Sequence, residues 1–152
     1  MKRIAVFTIA FVLITSSAFA MTAEDLAWYH NQNIDSISNL KAGQGSYDNY
    51  DFYICSVTDN IQIAYKIDKP TLVGGCLCFD ESEIIEFIAQ SMIICKTIGN
   101  ENDLDRYYSV ILRQFMKARN NEQTKMEDAG SLYINVSKDE YFYQLIASTK
   151  VF

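Results

Sequence analysis

Hydrophobic positions along this chain repeat at two different periods, and the helical one is clearest between Gly74 and Gly99, a stretch expected to open on a Gly74-Gly75 turn. Asp80 is placed to cap a helix with Glu83 three residues on. Ile84, Ile85, Phe87, Ile88, Met92, Cys95 and Ile98 then return mostly at three- or four-residue steps. Gly99 stands where a left-handed residue closes a helix. The pattern predicts a helix over 81–96. A second stripe of Leu104, Tyr108, Ile111, Phe115 and Ala118 predicts another over 103–119, packed antiparallel to the first across a short connection. Nearer the start, Thr22 and Asp25 form a capping box. Leu26, Tyr29, Ile34, Ile37 and Leu40 follow as a looser helical stripe over 23–41, closed by Gly43 and Gly45.

Between 50 and 67 the two periods compete. Tyr50, Phe52 and Ile54 alternate, as do Ile61, Ile63, Tyr65 and Ile67, with Thr58-Asp59-Asn60 between them, which is the pattern of a β-hairpin. Ile54, Val57, Ile61, Ala64 and Tyr65 would equally share one face of a helix. Alternation is slightly the stronger signal. Pro70 ends the element, because it lacks a donor and disfavours helical geometry at Lys69. Further on, Leu132, Ile134 and Val136 alternate as a short strand. Ser137-Lys138-Asp139-Glu140 then offers a capping box for a helix through Tyr141, Tyr143, Leu145 and Ile146.

Composition adds an address. Lys2 and Arg3, the apolar run from Ile4 to Ile14 and the small residues around Ala18 and Ala20 have the form of a secretory signal peptide over 1–20. The run is too short for a confident transmembrane span. The remaining 21–152 is expected to be one exported domain, periplasmic or secreted. All 19 acidic residues and 11 of the 13 basic ones lie after residue 20, so its formal charge is 11 − 19 = −8. That balance argues against nucleic acid and anionic membrane surfaces as partners, and it permits a basic protein.

In an exported chain the four cysteines, Cys55, Cys76, Cys78 and Cys95, suggest disulfides. A helix over 81–96 would hold Cys95 about 20–25 Å from Cys76 and Cys78, at ~1.5 Å per residue. Bridged Cα atoms lie within about 7 Å. Pairing Cys55 with Cys95 would leave only a strained Cys76–Cys78 closure, so the expected bridge is Cys55 to Cys76, with Cys78 the rival partner, closing a loop worth roughly 3 kcal/mol. Cys95 is expected to be a buried free thiol.

Little in the sequence points to chemistry. His30 is the sole histidine, so a zinc site of ordinary spacing cannot be assembled. A Cys–His nucleophile pair using Cys95 or Cys78 is the one catalytic arrangement available. Phosphate-binding glycine loops and hydrolase motifs are lacking, and no cofactor or metal is expected. Tyr107, Tyr108 and Phe115 have core spacing. Tyr47, Asp48, Tyr50 and Asp51 interleave aromatic area with acidic steering and are the candidate partner contacts, with the loop over 120–128 second.

Taken in order, the signals have a family likeness. Phe52-Tyr53-Ile54-Cys55, the Cys76-Leu77 pair, the capped helix that follows, the acidic turn over 99–102 and the next helix together resemble periplasmic immunity proteins that neutralise type VI secretion amidase toxins. The likeness covers roughly 52–118. It implies a mainly α fold, a small disulfide-containing helical bundle with an αα-hairpin at 81–119. It also implies helix over 50–67, the Cys55–Cys76 bridge, a homodimer, and occlusion of a cell-wall amidase by a protein without chemistry of its own. The alternative fold is α+β with a hairpin at 50–67. The alternative functions are a carrier whose aromatic-rich interior holds a small apolar ligand, and a small secreted hydrolase.

Overall fold

The computed structural model describes residues 21–34, 44–49 and 52–150, and for 44–49 the backbone alone. Its centre is a seven-stranded antiparallel sheet, and the mainly α bundle expected from the resemblance is overturned. The chain begins with helix α1 (Ala23–Ile34) and then lays down β1 (Gln44–Asn49), β2 (Phe52–Ser56), β3 (Ile61–Asp68) and β4 (Thr71–Cys78) as a meander. Helices α2 (Ile84–Ile98) and α3 (Leu104–Arg119) follow, each entered through a 3₁₀ turn. The chain returns with β5 (Glu127–Asp128), β6 (Leu132–Lys138) and β7 (Tyr143–Thr149). β7 pairs with β4, so the sheet reads β1-β2-β3-β4-β7-β6-β5.

Local alternation won over 50–67. Ile61, Ile63, Tyr65 and Ile67 all point to one buried face, while Gln62, Ala64 and Lys66 take the other, as a period of two requires. The turn before β3 has its own chemistry. Thr58 Oγ1 accepts from the backbone N–H groups of Asn60 and Ile61, and Glu83 accepts from the Thr58 hydroxyl and the Asn60 amide. Glu83 thus ties the hairpin to the entrance of α2, where Asp80 caps the 3₁₀ turn through Ser82 N–H.

The expected disulfide is overturned by the same pairing. Cys55 and Cys76 lie on β2 and β4, each directly opposite Ile63 of the strand between them. Two strand spacings put their Cα atoms about 9.6 Å apart, beyond the ~7 Å that a bridge spans. Cys78 lies opposite Ile61, two residues further along. All four thiols, Cys95 included, are free and buried, and burial raises the pKa of each. Native protein is expected to resist alkylation by a thiol reagent and to expose four reactive thiols when unfolded without reductant, read by mass shift. Fewer than four would reveal a bridge.

Helices α1, α2 and α3 cover one face of the sheet: α2 lies over β4, α3 over β6, and α1 packs on β2, β3 and α2. Buried Phe87, Ile94 and Cys95 of α2 meet the sheet's inner residues, as do Tyr107, Ile111 and Phe115 of α3. Two stripe residues turn out instead: Tyr108 is 50% and Ile85 is 85% exposed. Gln114 does work usually left to a strand. It accepts from Val136 N–H and donates to the carbonyls of Lys125 and Ile134, satisfying backbone groups that the two-residue β5 leaves along β6.

Three further expectations give way to tertiary structure. Gly74-Gly75 is a stretch of strand rather than a turn, with Gly74 opposite Tyr65. Gly99 is extended (φ −107°), and its lack of a side chain makes room for the Tyr107 hydroxyl, which accepts from Asn100 N–H. The predicted last helix is the β6–β7 hairpin, where Asp139 accepts from the N–H groups of Tyr141 and Phe142 in the turn.

Candidate interaction surface

Because all three helices lie on one side, the sheet's other face has nothing over it among the described residues. Register places its outward residues in rows across the strands. The middle row is Ile54, Ala64, Gly75, Ile146 and Asn135. Ala64 and Gly75, the two smallest, sit side by side at the centre. They form the floor of a trough of about 140 Å³, with Ile54 along one side, Gln62, Leu77 and Gln144 closing one end, and Ile146 next to Gly75 in the row. A second row runs Phe52, Lys66, Val73, Ser148 and Tyr133, and Phe52 and Ile54 remain 39% and 42% exposed.

This face is also poor in charge. Lys66 projects from it but pairs with Asp68, and at the far rim Lys150 pairs with Asp128 while lying over the Tyr133 ring. The remaining outward strand residues with described side chains are apolar or neutral. In a chain whose residues 21–152 carry a formal charge of −8, such a surface stands out. An apolar, charge-depleted patch with a polar border has the composition of an interface core.

The candidate contacts from the sequence do not form one site. Tyr47 and Asp48 lie on the edge strand β1, where the register shifts between Ser46 and Asn49. Tyr50 and Asp51 lie outside the described residues. The loop over 120–128 lies by the opposite edge, roughly 29 Å away across six strand spacings. Its Asn121 to Thr124 segment borders a polar groove of about 410 Å³ whose other wall is the β6–β7 turn. The open face itself went unread in the sequence. Its signal was the neutral or apolar character of the alternate positions Phe52, Ile54, Gln62 and Ala64, but using it required knowing that β4 and β7 continue the same surface.

His30 has a structural setting. It is fully buried, with Nδ1 bonded to the Tyr65 hydroxyl at 2.6 Å and Nε2 to Gln90 Oε1. Gln90 donates in turn to Glu86. Since Oε1 can only accept, Nε2 carries the proton and Nδ1 accepts from tyrosine, so the neutral ring satisfies the whole chain of bonds. Burial lowers the imidazole pKa to about 4, with the Gln90 bond acting in the opposite sense. Both ring nitrogens are engaged by groups other than a thiol, so the Cys–His pair is not assembled around His30. Among the described residues, no group of three or more His, Cys, Asp or Glu is arranged to hold a metal, and no helix is long and apolar enough to cross a membrane. Comparison with protein-family models, with curated proteins and with solved structures finds no match to this chain.

Proposed function

We propose that this is an exported binding protein that acts by contact, with the open face of the sheet as its contact surface. The observation that carries the reading is the middle row, where Ile54 and Ile146 flank the Ala64–Gly75 trough on a face almost free of charge. At about 140 Å³ the trough suits one aliphatic side chain, whereas small-molecule sites run to ~300–1,000 Å³. That favours a macromolecular partner over the carrier reading. The more specific version, an immunity protein that occludes a cell-wall amidase, keeps the signal-peptide pattern and the acidity in its support. The helical scaffold and the Cys55–Cys76 bridge no longer stand behind it.

The test is binding of a co-encoded cell-wall amidase, measured by calorimetry with the mature chain and with Ile54→Lys. The lysine variant should keep the fold, because position 54 is substantially exposed, and should weaken binding at least 10-fold by placing a charge in the contact. Tight binding unchanged by Ile54→Lys would remove the open face from the reading. A small ligand retained in native mass spectrometry would favour the carrier.

A further inference from the structure

We infer that the cleft around the β6–β7 turn is a binding site for a short neutral oligosaccharide. The turn over 139–142 stands between two hollows. On one side it faces the Asn121 to Thr124 segment across the groove of about 410 Å³. On the other it meets Phe79 and Glu81 around a second hollow of about 200 Å³. Lys138 and Glu140 line both, so the two hollows join into one cleft wrapped round the turn. The groove alone falls within the ~300–1,000 Å³ of small-molecule sites, which the trough on the open face does not reach.

The chemistry of the walls selects the ligand. The side chains of Asn121, Glu122, Gln123, Thr124, Ser137 and Glu140 make no hydrogen bond or ion pair among the described residues. They offer two amides and two hydroxyls, which donate and accept, beside two carboxylates, which only accept. A sugar ring presents hydroxyls that both donate and accept, and this mixed set can satisfy them. The cleft also has an apolar end. Phe79 and Phe142 meet edge to face with centroids 5.7 Å apart, and Phe79 and Tyr141 stay 45% and 72% exposed. The C–H face of a pyranose stacks on such rings, whose faces carry negative quadrupole charge, while its hydroxyls turn toward the groove.

Charge excludes the other polar ligands. Against the carboxylates of Glu81, Glu122, Asp139 and Glu140 the cleft sets one cation, Lys138, whose ammonium is already bound to Glu81 at 2.9 Å. Phosphates, sulfates and uronic acids would be repelled. A polycation is less well served. Asp139 is committed to the N–H groups of Tyr141 and Phe142, and Glu81 to Lys138 and the Tyr143 hydroxyl. Those same bonds hold the turn in place before a ligand arrives. The opposite wall is held where the Asn121 and Glu122 N–H groups donate to the carbonyls of Ala118 and Lys117. A cleft fixed in advance loses little freedom on binding.

Saturation-transfer NMR and calorimetry on the purified chain test this, with the tetramers of N-acetylglucosamine and of glucose as probes and spermidine as the competing cation. At least one tetramer should bind with a dissociation constant of about 1 mM or tighter. Tyr141→Ala should weaken that binding about 10-fold by removing the stacking ring. Gln123→Ala should weaken it about 3- to 10-fold by removing one hydrogen-bonding group. Both positions are exposed, so circular dichroism should show both variants folded. Tyr108→Ala, about 15 Å back along α3 from the cleft-lining Ala118, should bind like the native chain. Absence of transfer to either tetramer at about 5 mM would overturn the inference, as would binding that both cleft variants leave unchanged. Spermidine bound more tightly than both tetramers, and released by Glu122→Gln together with Glu140→Gln, would make the cleft a cation site and overturn it too.

Discussion

Replacing Gly74 by alanine is expected to destabilise the protein by about 1–3 kcal/mol, against the usual sign for such a change. A glycine within a strand normally gives way to alanine with a gain of ~0.5–1 kcal/mol, since glycine loses more freedom on folding. At Gly74 the new methyl would lie 2.4 Å from Ile94 Cγ2 and 3.2 Å from the Tyr65 ring. The missing side chain is what lets α2 settle onto β4. Gly75, one residue on, faces the open trough, and its methyl would meet only the Leu145 carbonyl at 3.3 Å. Gly75→Ala should therefore stay within about 1 kcal/mol of wild type. Urea unfolding with an unchanged slope reads both. The double variant Gly74→Ala, Ile94→Ala should cost less than the sum of its parts, since removing Cγ2 removes the clash. Equal tolerance at the two glycines would mean that α2 is not pressed against this strand.

The buried histidine makes stability depend on pH in a window set by its own titration. His30 is neutral in the folded chain, with a pKa of about 4, and ordinary near 6.5 when unfolded. Between those values the unfolded chain binds more protons, so stability rises with pH across the window. It is fully present above about 6.5 and is lost as pH falls toward 4. The loss between pH 6.5 and 5 should be about 1.5 kcal/mol. Asp80, Glu81, Glu127 and Asp128 are held below the usual carboxylate range by hydrogen bonds and neighbouring cations, so their contribution to the pH dependence comes lower down. His30→Ala should flatten the profile between pH 6.5 and 5. It should also cost about 3–5 kcal/mol at pH 7, since it opens a cavity and removes the bonds that His30 makes to the Tyr65 hydroxyl and Gln90 Oε1. A variant as pH-sensitive as wild type would assign the slope to other groups.

Most helices were legible because each was written twice, in its stripe and in its ends. Thr22 and Asp25 exchange the hydrogen bonds that a capping box requires, and α2 and α3 lie close to the predicted bounds, with Ile85 and Tyr108 off the buried face. The β2–β3 hairpin was legible too, from alternation alone, and was set aside for a resemblance whose helical fold the sheet contradicts. β4 and β7 were hidden for different reasons. In β4 the residues facing the helices are Leu72, Gly74, Cys76 and Cys78, the last three small where α2 comes close, so hydrophobicity barely alternates. In β7 the turn residue Asp139 bonds to backbone two and three residues ahead, the same local chemistry that starts a helix.

Taken alone, the sequence determined the period of most elements, the approximate bounds of the helices over 84–98 and 104–119 and the excess of acidic charge. Each of these depends on residues within a few positions of one another. Tertiary structure decided the order of strands, the separation of Cys55 from Cys76 by β3, the burial of His30 and the existence of one uncovered face. These arise when distant segments share a sheet, and strand pairing is settled by the total surface that a given order buries rather than by any local signal.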